Sequence, residues 1–251
     1  MGMQHSDIQR EPPRGFAMDP RLFLTRPGLD MMRTFQEGFS LPPPVHYLYG
    51  LSPTHAGPGS STFTMPASPW LLPPQGIISG ATLALLVDGP LGSAVQTGLA
   101  AATPYTTAEL SMTFVRPVLA DGRPLTGTAR LLHAGRSVGI SEVAVTTAGG
   151  ELVAVGSTRC AIMAPIDVPP GVAEELEANP PRQVEPAWGS PHPYLRPVAG
   201  EVLGQATWDR FSGLEILQRL VAGDLPAPPI SRLLGIFPEN AAEGESTWTM
   251  P

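Results

Sequence analysis

The 251-residue sequence predicts an α+β fold in which one long apolar helix is wrapped by a curved antiparallel sheet. Two observations carry that prediction. Gln75 to Thr97 (QGIISGATLALLVDGPLGSAVQT) is apolar almost all the way round, the mark of a helix covered on most sides rather than of a surface helix with one wet face. Beyond it the hydrophobic period drops to two, and the strand-like runs that follow are joined by turns short enough to demand antiparallel pairing.

Taken in order, residues 1–27 are polar and contain several prolines, and read as a loose N-terminal tail. Between Gly28 and Gly38, Leu29, Met32 and Phe35 fall at helical spacing, and Gly38 stops the helix. A proline-rich turn (Leu41 to Pro44) leads into Val45 to Leu51, and Ser60 to Met65 alternates as a short strand would. The buried helix comes next, with Pro90 expected to remove a hydrogen bond and kink it. Then Ala108, Leu110, Met112 and Phe114 alternate with polar neighbours until Arg116-Pro117 ends the strand. Leu125 to His133, Val138 to Thr147 and Glu151 to Met163 complete the sheet, turning at Ala134-Gly135 and Ala148-Gly149-Gly150. Residues 28–165 thus form a first domain. A stretch at 166–212 reads as a semi-rigid, largely extended linker, since nine prolines fall between 165 and 197.

Past the linker the chain repeats itself. Residues 213–251 align without a gap on 28–66 at an offset of 185, with 15 of 39 positions identical, Gly38/Gly223, Gly50/Gly235 and Thr64-Met65-Pro66/Thr249-Met250-Pro251 among them. Composition alone would give about three identities, so this is an internal duplication. The second copy stops after its first helix and strand, and the expectation is a tandem protein whose second unit is incomplete in this sequence.

Composition narrows the function. A net charge of −7 argues against a phosphate-backbone partner and gives no help to binding an anionic membrane. Asp88, Gly89 and Pro90 break the apolar run, so it does not read as membrane-spanning, and the N-terminus has no apolar stretch of a signal peptide. Cys160, the one cysteine, cannot form an internal disulfide and reads as a small apolar strand residue. These point to the cytoplasm. His46, His55, His133 and His192 show no metal spacing, and neither a G-x-S-x-G elbow nor a phosphate loop occurs.

What remains is chemistry on the helix itself. Asp88 is the single acid in the apolar run, where a carboxylate needs a partner, a hydrogen bond or a proton. Ser79-Gly80 opens the helix, where free N–H groups and the positive dipole end suit a developing oxyanion, with Ser79 also a natural N-cap. Arg116 and Arg136 suit bidentate phosphate contact.

In these residues the chain resembles hotdog-fold acyl-CoA thioesterases of the phenylacetic acid degradation type. Ser79-Gly80-Ala81 through Val87-Asp88 resembles that family's His-Gly-Gly…Leu-Ala-Asp helix. Thr113-Phe114-Val115-Arg116-Pro117-Val118 resembles its strand end, and His133-Ala134-Gly135-Arg136-Ser137-Val138 its His-x-Gly-Arg-x-Val turn. The resemblance spans about 28–165. It implies hydrolysis of an acyl-CoA or acyl-carrier-protein thioester without any cofactor, coenzyme A entering only as part of the substrate. Gly80 would offer its N–H to the thioester carbonyl, Asp88 would activate water or attack directly, and Thr107 would help place the water. Gln75 is the counterpart offered for an upstream amide, and Ser79 stands where the family has His. Eight helical residues put Gly80 and Asp88 about 12 Å apart, too far to meet at one carbonyl carbon. A site therefore needs Gly80 from one hotdog and Asp88 from another, in a pseudo-dimer or homo-oligomer. Two other readings stand beside hydrolysis. One is a non-catalytic acyl-CoA binding module. The other is a hydratase, against which Ser79 in place of His argues.

Overall fold

The computed structural model describes residues 7–15, 18–184 and 188–250. In chain order its elements are α1 (Asp7–Arg10), α2 (Pro20–Thr25), α3 (Gly28–Gln36), α4 (Pro44–Tyr49), β1 (Ser52–Gly57), β2 (Ser60–Pro66) and α5 (Gly80–Gln96). There follow β3 (Tyr105–Phe114), β4 (Pro124–Ala134), β5 (Val138–Thr146), β6 (Leu152–Ile162), α6 (Val172–Ala178) and α7 (Gln205–Arg210). Last come α8 (Gly213–Ala222), α9 (Pro229–Leu234), β7 (Phe237–Ala242) and β8 (Glu245–Thr249). Six strands form one antiparallel sheet in the order β1-β2-β4-β5-β6-β3, and β7-β8 form a separate pair. The long helix α5 lies against the sheet, so the expected hotdog fold is the one found.

The helix starts where Ser79 caps it, its Oγ accepting from the Thr82 N–H at 3.3 Å. It runs through Pro90 without ending. Proline has no N–H to give the Leu86 carbonyl. Gly127 of β4 lies so near that carbonyl that a Cβ there would stand 2.8 Å from the oxygen. One turn on, two buried serines of the sheet bond the helix directly: Ser61 Oγ donates to the Pro90 carbonyl at 2.7 Å, and Ser141 Oγ to that of Leu91 at 2.8 Å. Gly139 of β5 and Gly156 of β6 continue the close approach, since a Cβ at either would press on Val95 or Val87. Leu83, Leu86, Val87, Leu91 and Ala94 are thereby buried with Phe63, Met65, Leu125, Val143 and Val153 in one core.

Because α5 covers the middle of the sheet, β3 at its edge is left bare. Eight of its ten residues are exposed, including Leu110 and Phe114, and among the described residues one of its two edges carries no strand.

Two expectations are corrected. Residues 1–6, 16 and 17 of the anticipated loose tail lie outside the described residues, but its α2 segment packs: Asp19 caps α2, Leu22 is buried, and Ala102 N–H donates to the Phe23 carbonyl at 2.9 Å. The linker is likewise not a free extended spacer. It folds back over the first domain, where the Trp70 Nε1 proton reaches the Arg196 carbonyl (2.9 Å), Val184 N–H the Gly38 carbonyl (2.8 Å) and Leu203 N–H the Pro74 carbonyl (3.0 Å). Arg196 forms two hydrogen bonds to Glu11 at 2.6 and 2.7 Å, and Arg14, itself buried, bonds Glu11, Ser190 and His192. Prolines set the local backbone, but aromatic and charged anchors between them decide where it goes. No helix among the described residues is long and apolar enough to cross a membrane.

Candidate active site

Helical spacing sets Asp88, Gly92 and Gln96 on one face of α5, and strand spacing sets Tyr105 and Thr107 on one face of β3. The two faces meet. Thr107 Oγ1 donates to Asp88 Oδ1 at 3.0 Å, and Tyr105 Oη donates to Gln96 Oε1 at 3.1 Å. A Cβ on Gly92 would stand 3.6 Å from the Tyr105 ring. Asp88 is half-buried rather than enclosed, which corrects the expectation of a carboxylate in wholly apolar surroundings. The helix flank that carries it turns toward the bare edge strand, so Asp88 has a hydroxyl partner on one side and access to water on the other.

Behind this pair the surroundings are dry. Thr107 lies opposite Cys160 of β6, just before a bulge that lets the strand slip between Thr107 and Glu109. Burial pushes the Cys160 thiol up, against the hydroxyls of Thr158 and Thr107, and keeps it from serving as a nucleophile. Burial also pushes the Tyr105 phenol up, and Cys160 and Asp88 add to the effect. Tyr105 is therefore a neutral donor that holds Gln96.

Gly80 lies at the other end of β3. A Cβ there would stand 2.6 Å from Phe114 Cζ, so with glycine the exposed ring can cross the start of the helix where it lies, and a larger residue would push it aside. Beside it opens a cavity of about 410 Å³ lined mainly by Ile77, Ile78, Leu83, Phe114 and Val115. N–H groups of a helix's first turn lack acceptors within the helix. The arrangement thus offers donors at the mouth of an apolar trough.

The other residues singled out from the sequence are dispersed. Ser79 is the N-cap, its hydroxyl also 3.0 Å from Thr82 Oγ1. Gln75 is exposed in the turn that leads into α5. Arg116 lines the cavity at Gly80 and pairs with Glu151 at 2.7 Å, both side chains exposed. Arg136 is exposed in the β4–β5 turn, at the opposite end of the sheet, so the two arginines of one chain do not clamp the same group. Sequence reasoning did not single out Tyr105 and Gln96. The i, i+4, i+8 spacing from Asp88 and the i−2 position from Thr107 were the available signals.

Compared with known proteins, residues 75–154 match the model of the Thioesterase superfamily, a span that holds Gly80, Asp88, Thr107, Arg116 and Arg136. No curated protein matches the chain. Among solved structures it is similar to the PaaI protein of the phenylacetic acid degradation operon of E. coli, at 18% identity over 57% of this chain and 97% of that one, with a TM-score of 0.49. A thioesterase from Haemophilus influenzae is 17% identical over 49% of this chain and 85% of its own, with a TM-score of 0.46. A conserved protein of Pseudomonas aeruginosa is 31% identical over 47% of this chain and 93% of its own, with a TM-score of 0.45.

Proposed function

We propose that this chain, whose residues 75–154 match the Thioesterase superfamily, hydrolyses acyl-CoA thioesters at a site shared by two hotdog units. The observation that carries this reading is the Asp88–Thr107 pair on the open flank of α5, at the far end of β3 from Gly80 and its apolar cavity. Two β3 edges paired antiparallel about a two-fold axis would bring the Thr107 end of one strand beside the Phe114 end of the other. Asp88 of one unit would then face Gly80 of its neighbour.

At such a site the acyl group lies in the trough at Gly80 and its carbonyl oxygen points at the first-turn N–H groups. Asp88 takes a proton from a water molecule that Thr107, already donating to Asp88, helps place through an oxygen lone pair. The hydroxide adds to the carbonyl carbon, the oxyanion forms against the Gly80 N–H, and the C–S bond breaks to release the coenzyme A thiolate, which is then protonated. Arg116, which lines the trough, would be a cation for a phosphate of the carrier. An acyl-carrier protein is the alternative carrier.

A second reading has one observation in its favour. Ser79 and Ala81 stand where the resembled helix has His and a second Gly, which suits a module that binds acyl-CoA without turning it over. Thiol release from short, medium, long and aryl acyl-CoAs distinguishes the two. Wild type should turn over, and Asp88→Asn, with an unchanged circular dichroism spectrum, should lose a hundredfold or more. Binding by both proteins with turnover by neither would overturn hydrolysis in favour of the binding module.

A further inference from the structure

The last elements of the chain reproduce the early ones. α8, α9, β7 and β8 start at the positions of α3, α4, β1 and β2 plus 185. The hairpins share their register: Ser52 opposite Thr64 becomes Phe237 opposite Thr249, and the bulge between Pro53 and His55 becomes one between Pro238 and Asn240. Gly50 and Gly235 close the preceding helices with left-handed φ of 75° and 72°.

The two copies differ in what covers them. β2 is paired on both edges, by β1 and β4, and its inward row of Ser61, Phe63 and Met65 is buried against α5. The same row in the second copy is Ser246 and Trp248 of β8 and Met250 just after it, and it faces solvent, with Trp248 44% and Met250 68% exposed. Among the described residues no strand pairs with the outer edge of β8. An apolar row on an open strand is a surface that proteins ordinarily cover or blunt. The row has also kept its serine, whose counterpart Ser61 donates to the Pro90 carbonyl of α5. Ser246 Oγ accepts from Trp248 Nε1 at 3.3 Å, which leaves its own O–H to donate.

We infer that the Ser246–Trp248–Met250 face and the outer edge of β8 form a docking surface for a second hotdog core. Its occupant is a central helix and an antiparallel strand of the α5 and β4 kind that arrive without an N-terminal hairpin of their own. The first copy shows the fit in full: an apolar helix against the aromatic and the methionine, a carbonyl beside a helical proline for the serine, and a strand along the edge. This inference is independent of the proposed hydrolysis.

The test uses the shared triplet. Since Thr249-Met250-Pro251 repeats Thr64-Met65-Pro66, residues 67–165 can be appended to the full chain after Pro251 in the native register. Amide exchange of residues 245–250 should slow at least tenfold in the extended chain. Trp248→Asp should restore the fast rate, and Trp248→Phe should keep the protection. Equal exchange in the extended and unextended chains, or protection that survives Trp248→Asp, would overturn the inference. So would an unextended chain whose 245–250 amides are already protected in a dimer that Trp248→Asp dissolves, since the occupant would then be a second copy of this chain.

Discussion

The Thr107 hydroxyl joins Asp88 to the sheet. Thr107→Val keeps the branched shape and removes the donor, so kcat should fall about tenfold with KM unchanged in steady-state assays, the scale of one hydrogen bond worth about 1.4 kcal/mol. A second effect at this scale concerns pH. Burial holds His46 down to about 4, and its Nδ1 is buried without a partner among the described residues. The unfolded chain binds that proton near the ordinary value of about 6.5, so stability is fully present above that pH and declines as pH falls from 6.5 toward 4. The loss from His46 is up to about 3 kcal/mol. His192, lowered by burial and by Arg14 and Arg196, acts in the same direction. Urea denaturation at pH 7 and pH 4.5 checks this, and His46→Phe should shrink the difference. Asp88 was legible in the sequence because an acid in an apolar helix stands out, whereas Thr107 came only from the resemblance, since one strand hydroxyl among many does not mark itself. The openness of Asp88 was not legible, because periodicity describes a helix's faces without saying which strand each face overhangs.

Among elements, α5 and the strands around it depend on how closely they approach. Gly139→Ala places a methyl 2.4 Å from Val95 Cγ1, so it should destabilise by about 1–3 kcal/mol in urea titration. Gly149→Ala, whose nearest neighbour would be 3.6 Å away, should be near neutral. β2 and β3 could be read from the sequence by their alternation and β4 to β6 by the glycine turns between them, whereas β1 was not read as a strand, because Ser52-Pro53-Thr54-His55 carries no apolar alternation. The segment at 166–212 was misread, since its prolines report local backbone while Trp70, Glu11 and Gly38, distant in sequence, fix its path.

For the whole molecule, the proposed shared site would tie assembly to activity through the bare edge of β3. Leu110, exposed near the middle of that strand, would meet its own counterpart's neighbourhood across a two-fold axis. Leu110→Lys should therefore lower self-association in sedimentation velocity and abolish turnover together, with the circular dichroism spectrum retained. Loss of activity in a protein that associates as before would speak against the shared site.

The two similar hairpins also bear on how the chain folds. The edge of β4 that β2 occupies accepts one hairpin, and the chain carries two with the same register and matching inward rows, Trp248 standing for Phe63. During synthesis β1–β2 emerges first and can settle before its twin exists. Refolding from denaturant releases both at once, so the later hairpin competes for the earlier one's place, and a fraction of chains is delayed until it lets go. Trp248→Asp should remove that delayed fraction in stopped-flow refolding, so that chain order substitutes for sequence specificity in choosing the correct pairing.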